Sequence, residues 1–369
     1  MAQIELRQLA HTYAKTTEPA LQIGDFSWQD GGAYALLGPS GCGKTTLLNI
    51  ISGLLTPSSG KVIFDGVEVT NLDARARNIA QVFQFPVIYD TMSVFDNLAF
   101  PLRNRGVAKK QIALRVAEVA ESLELSECLD SRASGLSADQ KQLISLGRGL
   151  VRDDVAAILF DEPLTVIDPH QKFKLRRLLK ELHSRFKLTL IYVTHDQSEA
   201  LTFADQVTVM HGGKAIQTDT PEALYERPSH QFVGHFIGNP GMNFLTVDVV
   251  GDQLRLQGHA LPLPKNCIDK ANASTNAPII GIRPEYLRVT ESIPPEKELT
   301  EHRLDPNILT SLPVNLVGVE NHGNYYLLEV ELNGDTVMVR ANQVPSTSKL
   351  TLHLPRDRTK LYVNERLVN

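Results

Sequence analysis

A glycine-rich segment near the start of the chain has the residue types and spacing to hold phosphate groups. Residues 38–45 read Gly-Pro-Ser-Gly-Cys-Gly-Lys-Thr and match the pattern G-x-x-x-x-G-K-[ST]. In such a loop the backbone N–H groups surround phosphates, and the following helix presents its positive N-terminal end. Lys44 is expected to reach the β and γ phosphates, and the Thr45 hydroxyl to ligate Mg²⁺. The segment predicts a nucleotide-binding P-loop ATPase whose ATP contacts come from Gly38, Ser40, Gly41, Cys42, Gly43, Lys44, Thr45 and Thr46.

An acidic pair and a histidine follow two apolar runs further along the chain. Asp161 and Glu162 come directly after Val155–Phe160, and His195 comes just after Leu188–Val193. A carboxylate at a strand end suits Mg²⁺, so Asp161 is predicted to bind the metal and Glu162 to polarise the attacking water. His195 could donate to the γ phosphate. An acidic turn is also common at solvated surfaces, and a single histidine is more often structural.

The elements around these residues indicate an α/β layer architecture. Ala33–Leu37 is a continuous apolar run that predicts a buried strand leading into the phosphate loop, and a helix is expected from Lys44. The two apolar runs before Asp161 and His195 are typical of central parallel strands. Between residues 109 and 125, apolar residues recur at helical spacing, which predicts an amphipathic helix facing the core. Ligands of such a sheet bind at the carboxyl ends of its strands.

The texture of the sequence changes near residue 236, which predicts two domains, 1–236 and 237–369. Helical periodicity fades beyond Pro240 and short alternating runs follow. Asn333-Gly334 lies between two such runs and predicts a tight hairpin. A polar stretch from residue 291 to 313 divides this mainly β region, so two small barrel-like lobes are expected.

Composition places the chain among ordinary globular proteins. The 369 residues are 42% hydrophobic and 21% charged, the net charge is −5, and lysine and arginine are dispersed, which disfavours nucleic acid as a partner. Three widely spaced cysteines suit a reducing compartment. No stretch has the length and apolarity of a membrane span or a secretory leader, so the chain is expected in the cytosol, contacting membranes only through partners.

In order and spacing these motifs resemble the ATP-binding subunits of ABC transporters. The resemblance covers essentially the whole chain and is strongest to importer ATPases for sugars, polyols and glycerol phosphate. It rests further on five segments: Val82–Gln84, Asn97–Leu102, Phe232–Gly238, Met242–Phe244 and Gly281–Glu285. The last three are similar to the regulatory, OB-like C-terminal region of that family.

The resemblance implies roles for several further residues. Tyr13 would stack on adenine, although a tyrosine near an N-terminal strand is in itself unremarkable. Gln84 would link the metal and the attacking water to the membrane subunits, which makes Thr45, Gln84 and Asp161 the expected Mg²⁺ ligands. Glu162 would be the catalytic base and His195 the switch histidine. The stretch 85–102 would contact a helix of a membrane subunit, though its apolar residues could equally be core.

One motif departs from the family. The signature usually reads Leu-Ser-Gly-Gly-Gln and caps the γ phosphate held by a partner subunit, whereas residues 136–140 read Leu-Ser-Ala-Asp-Gln. Ser137 and Gln140 are kept, but Ala138 adds a side chain and Asp139 brings a carboxylate towards a polyanion. Because the loop at residues 38–45 is intact, pairing with a different ATPase subunit is expected, with a homodimer as the alternative. Asp168 matches the family aspartate that crosses the dimer interface.

The resemblance also implies partners and a location. Two transmembrane permease subunits and, indirectly, an extracytoplasmic solute-binding protein are expected, at the cytoplasmic face of the inner membrane. The solute is a carbohydrate, polyol or glycerol-type molecule by resemblance only, and the altered signature is similar to glycerol uptake systems. Two other classes remain: a soluble ABC protein of translation or repair, and a binding module that uses its OB-like lobes for oligosaccharides or nucleic acid.

Overall fold

The computed structural model describes residues 2–14, 16–165, 167–274, 276–291 and 307–368. The chain divides into two units, Met1–Pro221 and Glu222–Asn369. In the first unit the strands are β1 Ile4–His11, β2 Leu21–Ile23, β3 Phe26–Trp28, β4 Ala33–Leu37, β5 Ser59–Phe64, β6 Val67–Glu68, β7 Ala80–Val82, β8 Ile158–Asp161, β9 Leu190–Thr194, β10 Gln206–His211 and β11 Lys214–Asp219. Its helices are α1 Lys44–Ser52, α2 Val94–Asn104, α3 Lys109–Ser122, α4 Ala138–Leu150, α5 Pro169–Phe186 and α6 Gln197–Phe203.

A six-stranded sheet in the order β11-β10-β4-β9-β8-β7 forms the centre of the first unit. The pairs from β10 through β4, β9 and β8 to β7 are all parallel, and β11 is antiparallel. Every residue of β4 and β9 is buried, which is why these strands read as continuous apolar runs. The predicted central parallel strands and α/β architecture are confirmed. A second sheet, β2-β1-β5-β6 with β3 on β1, carries the N-terminal strand.

Helix α3 shows how the apolar spacing selects a buried face. Ile112, Val116 and Val119 are buried, and Leu123 is buried one residue past the end of the helix. The predicted amphipathic helix is therefore confirmed, with its end at Ser122.

The helices of the second unit are α7 Pro221–Glu226, whose first residue is the last of the first unit, α8 Gln231–Phe236 and α9 Lys265–Asn272. Its strands are β12 Asn243–Thr246, β13 Asp248–Val250, β14 Gln253–Leu256, β15 His259–Leu261, β16 Ile279–Ile282, β17 Arg288–Thr290, β18 Ile308–Asn321, β19 Tyr326–Leu332, β20 Asp335–Ala341, β21 Lys349–Pro355, β22 Lys360–Val363 and β23 Arg366–Val368. They form three sheets, β12-β16-β22-β23, β13-β14-β15 and β17-β21-β18-β19-β20. The mainly β character is confirmed.

Residues 222–236, expected with the first domain, pack in the second unit. Arg283 donates to the carbonyls of Tyr225 and Ile237, and the Tyr362 hydroxyl donates to Pro228 O. These contacts join residues that are 46 to 134 positions apart, so local sequence patterns could not indicate them.

The hairpin at Asn333-Gly334 joins β19 and β20, and both residues have positive φ, 49° and 95°. Such a turn requires the left-handed region at both central positions, which asparagine and glycine tolerate. Of the polar stretch 291–313, residues 292–306 lie outside the described residues. Apolar residues from both sides of it, such as Leu245 and Leu352, share one hydrophobic core.

Candidate nucleotide-binding site

The phosphate loop lies between β4 and α1, at the carboxyl edge of the central sheet. Gly43 has φ 99°, and a Cβ there would come 2.7 Å from Ala20 O. A Cβ on Gly38 would come 2.4 Å from Met210 O. Glycine is therefore required at both positions by the chain's own packing. Gly43 also caps α1 without a side chain, which leaves the positive end of the helix open to an anion.

Lys44 is buried at the first position of α1. Its ammonium donates to Gly38 O at 2.8 Å and to Pro39 O at 3.0 Å, and lies 3.9 Å from the sulfur of Cys42. Burial raises the pKa of the Cys42 thiol, and the lysine charge opposes that shift. The lysine charge is thus held directly beneath the loop, by neutral carbonyls that a phosphate can outcompete.

Thr45 and Asp161 meet across the sheet edge, with their Oγ1 and Oδ1 atoms 3.3 Å apart. Burial raises the pKa of Asp161; the Thr45 hydrogen bond and Lys44 oppose the shift, while the adjacent Glu162 adds to it. Burial and a neighbouring negative charge both disfavour the ionised form of this carboxyl group, and a bound divalent cation would stabilise that form. Hydroxyl and carboxylate oxygens are hard ligands of the kind that Mg²⁺ binds together with phosphate oxygens. These residues therefore fit Mg²⁺.

Glu162 and His195 are in direct contact, with Oε2 and Nδ1 3.1 Å apart. Glu162 has φ 48°, in the left-handed region that a residue with a Cβ seldom occupies, and its N–H donates to Val193 O. The same carboxylate oxygen accepts the Thr165 hydroxyl at 3.4 Å. This strained turn aims Glu162 at the neighbouring strand end, where His195 lies.

Strand register explains why these residues meet. Leu37 is paired with Thr194, Asp161 with Val193, and Val82 with Phe160. The phosphate loop, His195, the acidic pair and Gln84 therefore follow one another along the edge in strand order β4, β9, β8, β7. Gln84 is half-buried two residues past β7.

Tyr13 lies beside the first turn of α1. Its hydroxyl is 3.0 Å from Thr46 Oγ1, and its ring makes an edge contact with His11 at 4.7 Å. His11 is buried, and neither of its ring nitrogens has a hydrogen-bond partner among the residues that the structure describes. Sequence reasoning did not single out His11. Strand alternation over β1, which turns His11 inward beside Leu9, is the signal that could have found it.

The signature residues start α4. Ser137 caps the helix, and a capping box joins it to Gln140, whose Oε1 accepts the Ser137 N–H at 3.2 Å. Within the described part of the chain the Ser137 and Gln140 side chains bond to each other. Ala138 is exposed and Asp139 half-buried in the first helical turn. Asp168 is exposed just before α5, and its carbonyl accepts the Lys172 N–H. The signature residues thus begin α4, whereas the phosphate loop leads into α1.

The stretch 85–102 divides into an exposed loop and a buried helix. Phe85, Val87 and Tyr89 are 66%, 55% and 40% exposed, whereas Leu98 and Leu102 of α2 are buried. Arg148 contacts this loop twice: it donates to Val87 O at 2.7 Å, and its guanidinium lies 4.9 Å from the centre of the Tyr89 ring. The core interpretation is therefore confirmed for α2, and contact of the exposed loop with a membrane subunit stays a prediction.

A phosphate loop, a carboxylate beside its threonine and a second carboxylate against a histidine define a P-loop ATPase. The sequence matches the family described as ABC transporter over residues 21–165 and the MalK OB fold domain over residues 238–287. The chain belongs to the ATP-binding proteins of the ABC transporter family, which hydrolyse ATP.

Relatives match along most of the chain. The sn-glycerol-3-phosphate import ATP-binding protein UgpC of Yersinia enterocolitica is 38% identical over 363 residues, covering 96% of this chain and 95% of the relative. UgpC 3 of Rhizobium johnstonii is 40% identical over 334 residues, covering 90% and 88%. The solved structure of cbiO1 from Clostridium perfringens, part of the ABC transporter complex cbiONQ, has a TM-score of 0.57 at 26% identity, covering 61% of this chain and 90% of cbiO1. Each helix in the described part of the chain is too short or too polar to span a membrane.

Proposed function

We propose that this chain hydrolyses MgATP to energise an importer for glycerol-3-phosphate or a related polyol or sugar. The observation that carries the proposal is the contact between Glu162 and His195 beside the Thr45–Asp161 pair, at the edge that holds the phosphate loop. Lys44 and the loop amides bind the phosphates, and Tyr13 packs against adenine. Thr45, Asp161 and Gln84 would hold Mg²⁺, which when bound would supply positive charge to the transferred phosphoryl group.

Hydrolysis needs a base that takes a proton from water and a donor that stabilises the γ phosphate. Glu162 is held in the correct place by its strained turn and acts as the base. His195, within hydrogen-bond reach of Glu162, orients that carboxylate and can turn towards phosphate.

Two substitutions test these roles. Glu162→Gln should lower turnover by about 100-fold or more while nucleotide still binds, because a neutral amide cannot accept the proton. His195→Ala should also disable turnover. Glu181→Gln, an exposed change of the same type on α5, serves as the control. Normal phosphate release by Glu162→Gln in the purified transporter would exclude Glu162 as the base.

The cargo is inferred from the relatives, since the UgpC proteins of Yersinia and Rhizobium are named for sn-glycerol-3-phosphate import. Solute choice in an importer belongs to the binding protein and the permease. Uptake assays in a deletion strain therefore decide it: glycerol-3-phosphate, glycerol, polyols and sugars are supplied singly as labelled solutes. If the deletion leaves the uptake of all these solutes unchanged and abolishes the uptake of another solute, the proposed cargo is wrong. The ATPase assignment would still stand.

The exposed loop with Phe85, Val87 and Tyr89 is suited to receive a helix of a permease subunit, of which we propose two, working with an extracytoplasmic solute-binding protein. Exposed apolar side chains on a loop whose backbone accepts a hydrogen bond from Arg148 favour an apolar partner. This docking would hold the chain at the cytoplasmic face of the inner membrane, with the second unit as a regulatory domain. Phe85→Asp should release the chain from membranes while its ATP binding persists.

We further propose that the chain pairs with a second, different ATPase subunit. Asp139 lies in the first turn of α4, where the signature would face a partner's γ phosphate. Like charges about 5 Å apart at an effective dielectric constant near 20 repel by about 3 kcal/mol. The phosphate loop of this chain has no such defect, so it is suited to a partner with an intact signature. The alternative is a homodimer that tolerates Asp139.

Subunit composition and turnover separate the two arrangements. The native complex should contain two kinds of ATPase chain, and a single kind would refute the heterodimer. Asp139→Gly and the size-matched Asp139→Asn should both raise turnover if the carboxylate repels phosphate. Equal turnover in all three proteins would show that the carboxylate turns away from the nucleotide.

A further inference from the structure

Glu199, on α6, is a buried carboxylate close to the site that no sequence motif singled out. It is 4% exposed, four residues after His195. Burying a carboxylate is costly unless hydrogen bonds and opposite charge compensate. Here two hydroxyls of β9 and one ammonium of α5 do so, and each of these elements borders a different loop of the site.

The first loop carries His195. The Thr194 hydroxyl donates to Glu199 Oε2 at 2.9 Å and accepts the Asp196 N–H at 3.0 Å. These two bonds bracket His195 from both sides. The Tyr192 hydroxyl donates to the same oxygen at 3.0 Å, and burial raises the pKa of this phenol well above its usual value, so it stays a donor. Glu199 thus fixes the last residues of β9.

The second loop carries Asp168. The Lys172 ammonium lies 3.3 Å from Glu199 Oε1, the carboxylate oxygen that faces α5. The backbone N–H of the same lysine donates to Asp168 O at 2.9 Å. Lys172 therefore connects the loop before α5 to the carboxylate that holds the His195 turn.

We propose that Glu199 and Lys172 form an ionic link that keeps the His195 turn and the Asp168 loop in one fixed arrangement. Glu199 and Lys172 are positioning residues, since neither lies at the reacting atoms. The inference rests on the proposed roles of His195 and Asp168. If the first loop faces the bound nucleotide and the second faces the partner subunit, the link couples dimer contact to the hydrolytic site.

The proposal requires the opposite charges of Glu199 and Lys172, and not only the space that their side chains fill. Glu199→Gln keeps an oxygen that accepts from Tyr192 and Thr194 but loses the attraction to Lys172. Lys172→Met removes the ammonium and keeps the aliphatic stem, at a partly exposed position where the fold is less at risk. Lys172→Arg restores a cation. Arg176→Met removes the exposed 3.4 Å bond from α5 to Thr202 of α6 and is the matched control.

The test measures kcat, the KM for ATP and nucleotide affinity in the full chain assembled with its permease subunits. Glu199→Gln and Lys172→Met should each lower kcat about tenfold, with KM and nucleotide affinity changed by less than about twofold. The double variant should be no slower than the worse single one, because both break the same link. Lys172→Arg should recover most of the turnover, and Arg176→Met should turn over normally.

Three outcomes overturn the inference. If kcat is unchanged in Lys172→Met and in Glu199→Gln while His195→Ala loses turnover, the ionic link is refuted and the proposed function stands. Losses that multiply in the double variant, or that Arg176→Met reproduces, would indicate general loosening of α5 and α6. A fully active His195→Ala would refute the role of His195 and the inference together.

Discussion

Replacing Arg77 by methionine should destabilise the first unit strongly, although Arg77 lies outside the nucleotide site. Arg77 is only 3% exposed and has no carboxylate partner among the described residues. Its guanidinium donates to Ile50 O at 2.6 Å, Ile51 O at 3.0 Å, Thr70 O at 2.7 Å and Leu72 O at 3.0 Å. It thus caps the C-terminal end of α1, the helix whose N-terminal end we propose to bind phosphate.

The magnitude follows from the carbonyls that methionine would leave without this donor. Ile50 O also accepts the N–H of Gly53, so three carbonyls bear most of the loss. A buried unsatisfied acceptor costs about 1–3 kcal/mol, and removing the desolvated cation returns part of that, so we expect a net loss of about 3 kcal/mol. Arg77→Lys keeps the charge but lacks the fork that reaches four carbonyls, and should lose about half as much.

Urea unfolding, monitored by tryptophan fluorescence, measures the loss of stability in the first unit, which contains Arg77. The chain has one tryptophan, Trp28, which is buried in the first unit, so its signal reports the unfolding of that unit. The exposed Arg7, paired with Glu5, is the control, and Arg7→Met should cost less than about 0.5 kcal/mol. A loss below about 1 kcal/mol for Arg77→Met would refute the carbonyl argument.

Three further results are expected. Gly53→Ala should destabilise the first unit in the same urea assay, because Gly53 has φ 81° and its Cβ would come 2.8 Å from Arg77 Nε. Tyr13→Ala should raise the KM for ATP about tenfold by losing a stacking surface, whereas Tyr13→Phe, which loses only the bond to Thr46, should stay close to the original. Asp161→Asn should abolish Mg²⁺-dependent turnover yet stabilise the unliganded chain, since burial raises the pKa of Asp161. The stability contributed by protonated Asp161 is lost as pH rises through that raised pKa, so the advantage of Asp161→Asn in urea should grow with pH.

The phosphate loop and the strands beside it could be predicted because each depends on local order in the sequence. Glycine spacing, one lysine and one threonine specify the loop, and the buried run Ala33–Leu37 specifies the strand that leads into it. The hairpin at Asn333-Gly334 was equally local, since two adjacent residues that tolerate positive φ are sufficient to form it.

What the tertiary structure decided depends on strand order, which differs from chain order. β4 lies beside β9, and β9 beside β8, so His195 lies against Glu162 although 33 residues of chain separate them. The same packing exposes Phe85 while burying Leu98, and brings Lys172 to Glu199. A sequence states which residues can carry charge or donate a proton. The tertiary structure decides which of these residues meet. Once the strands have paired and the helices have packed, each buried charge needs nearby partners that compensate for its desolvation.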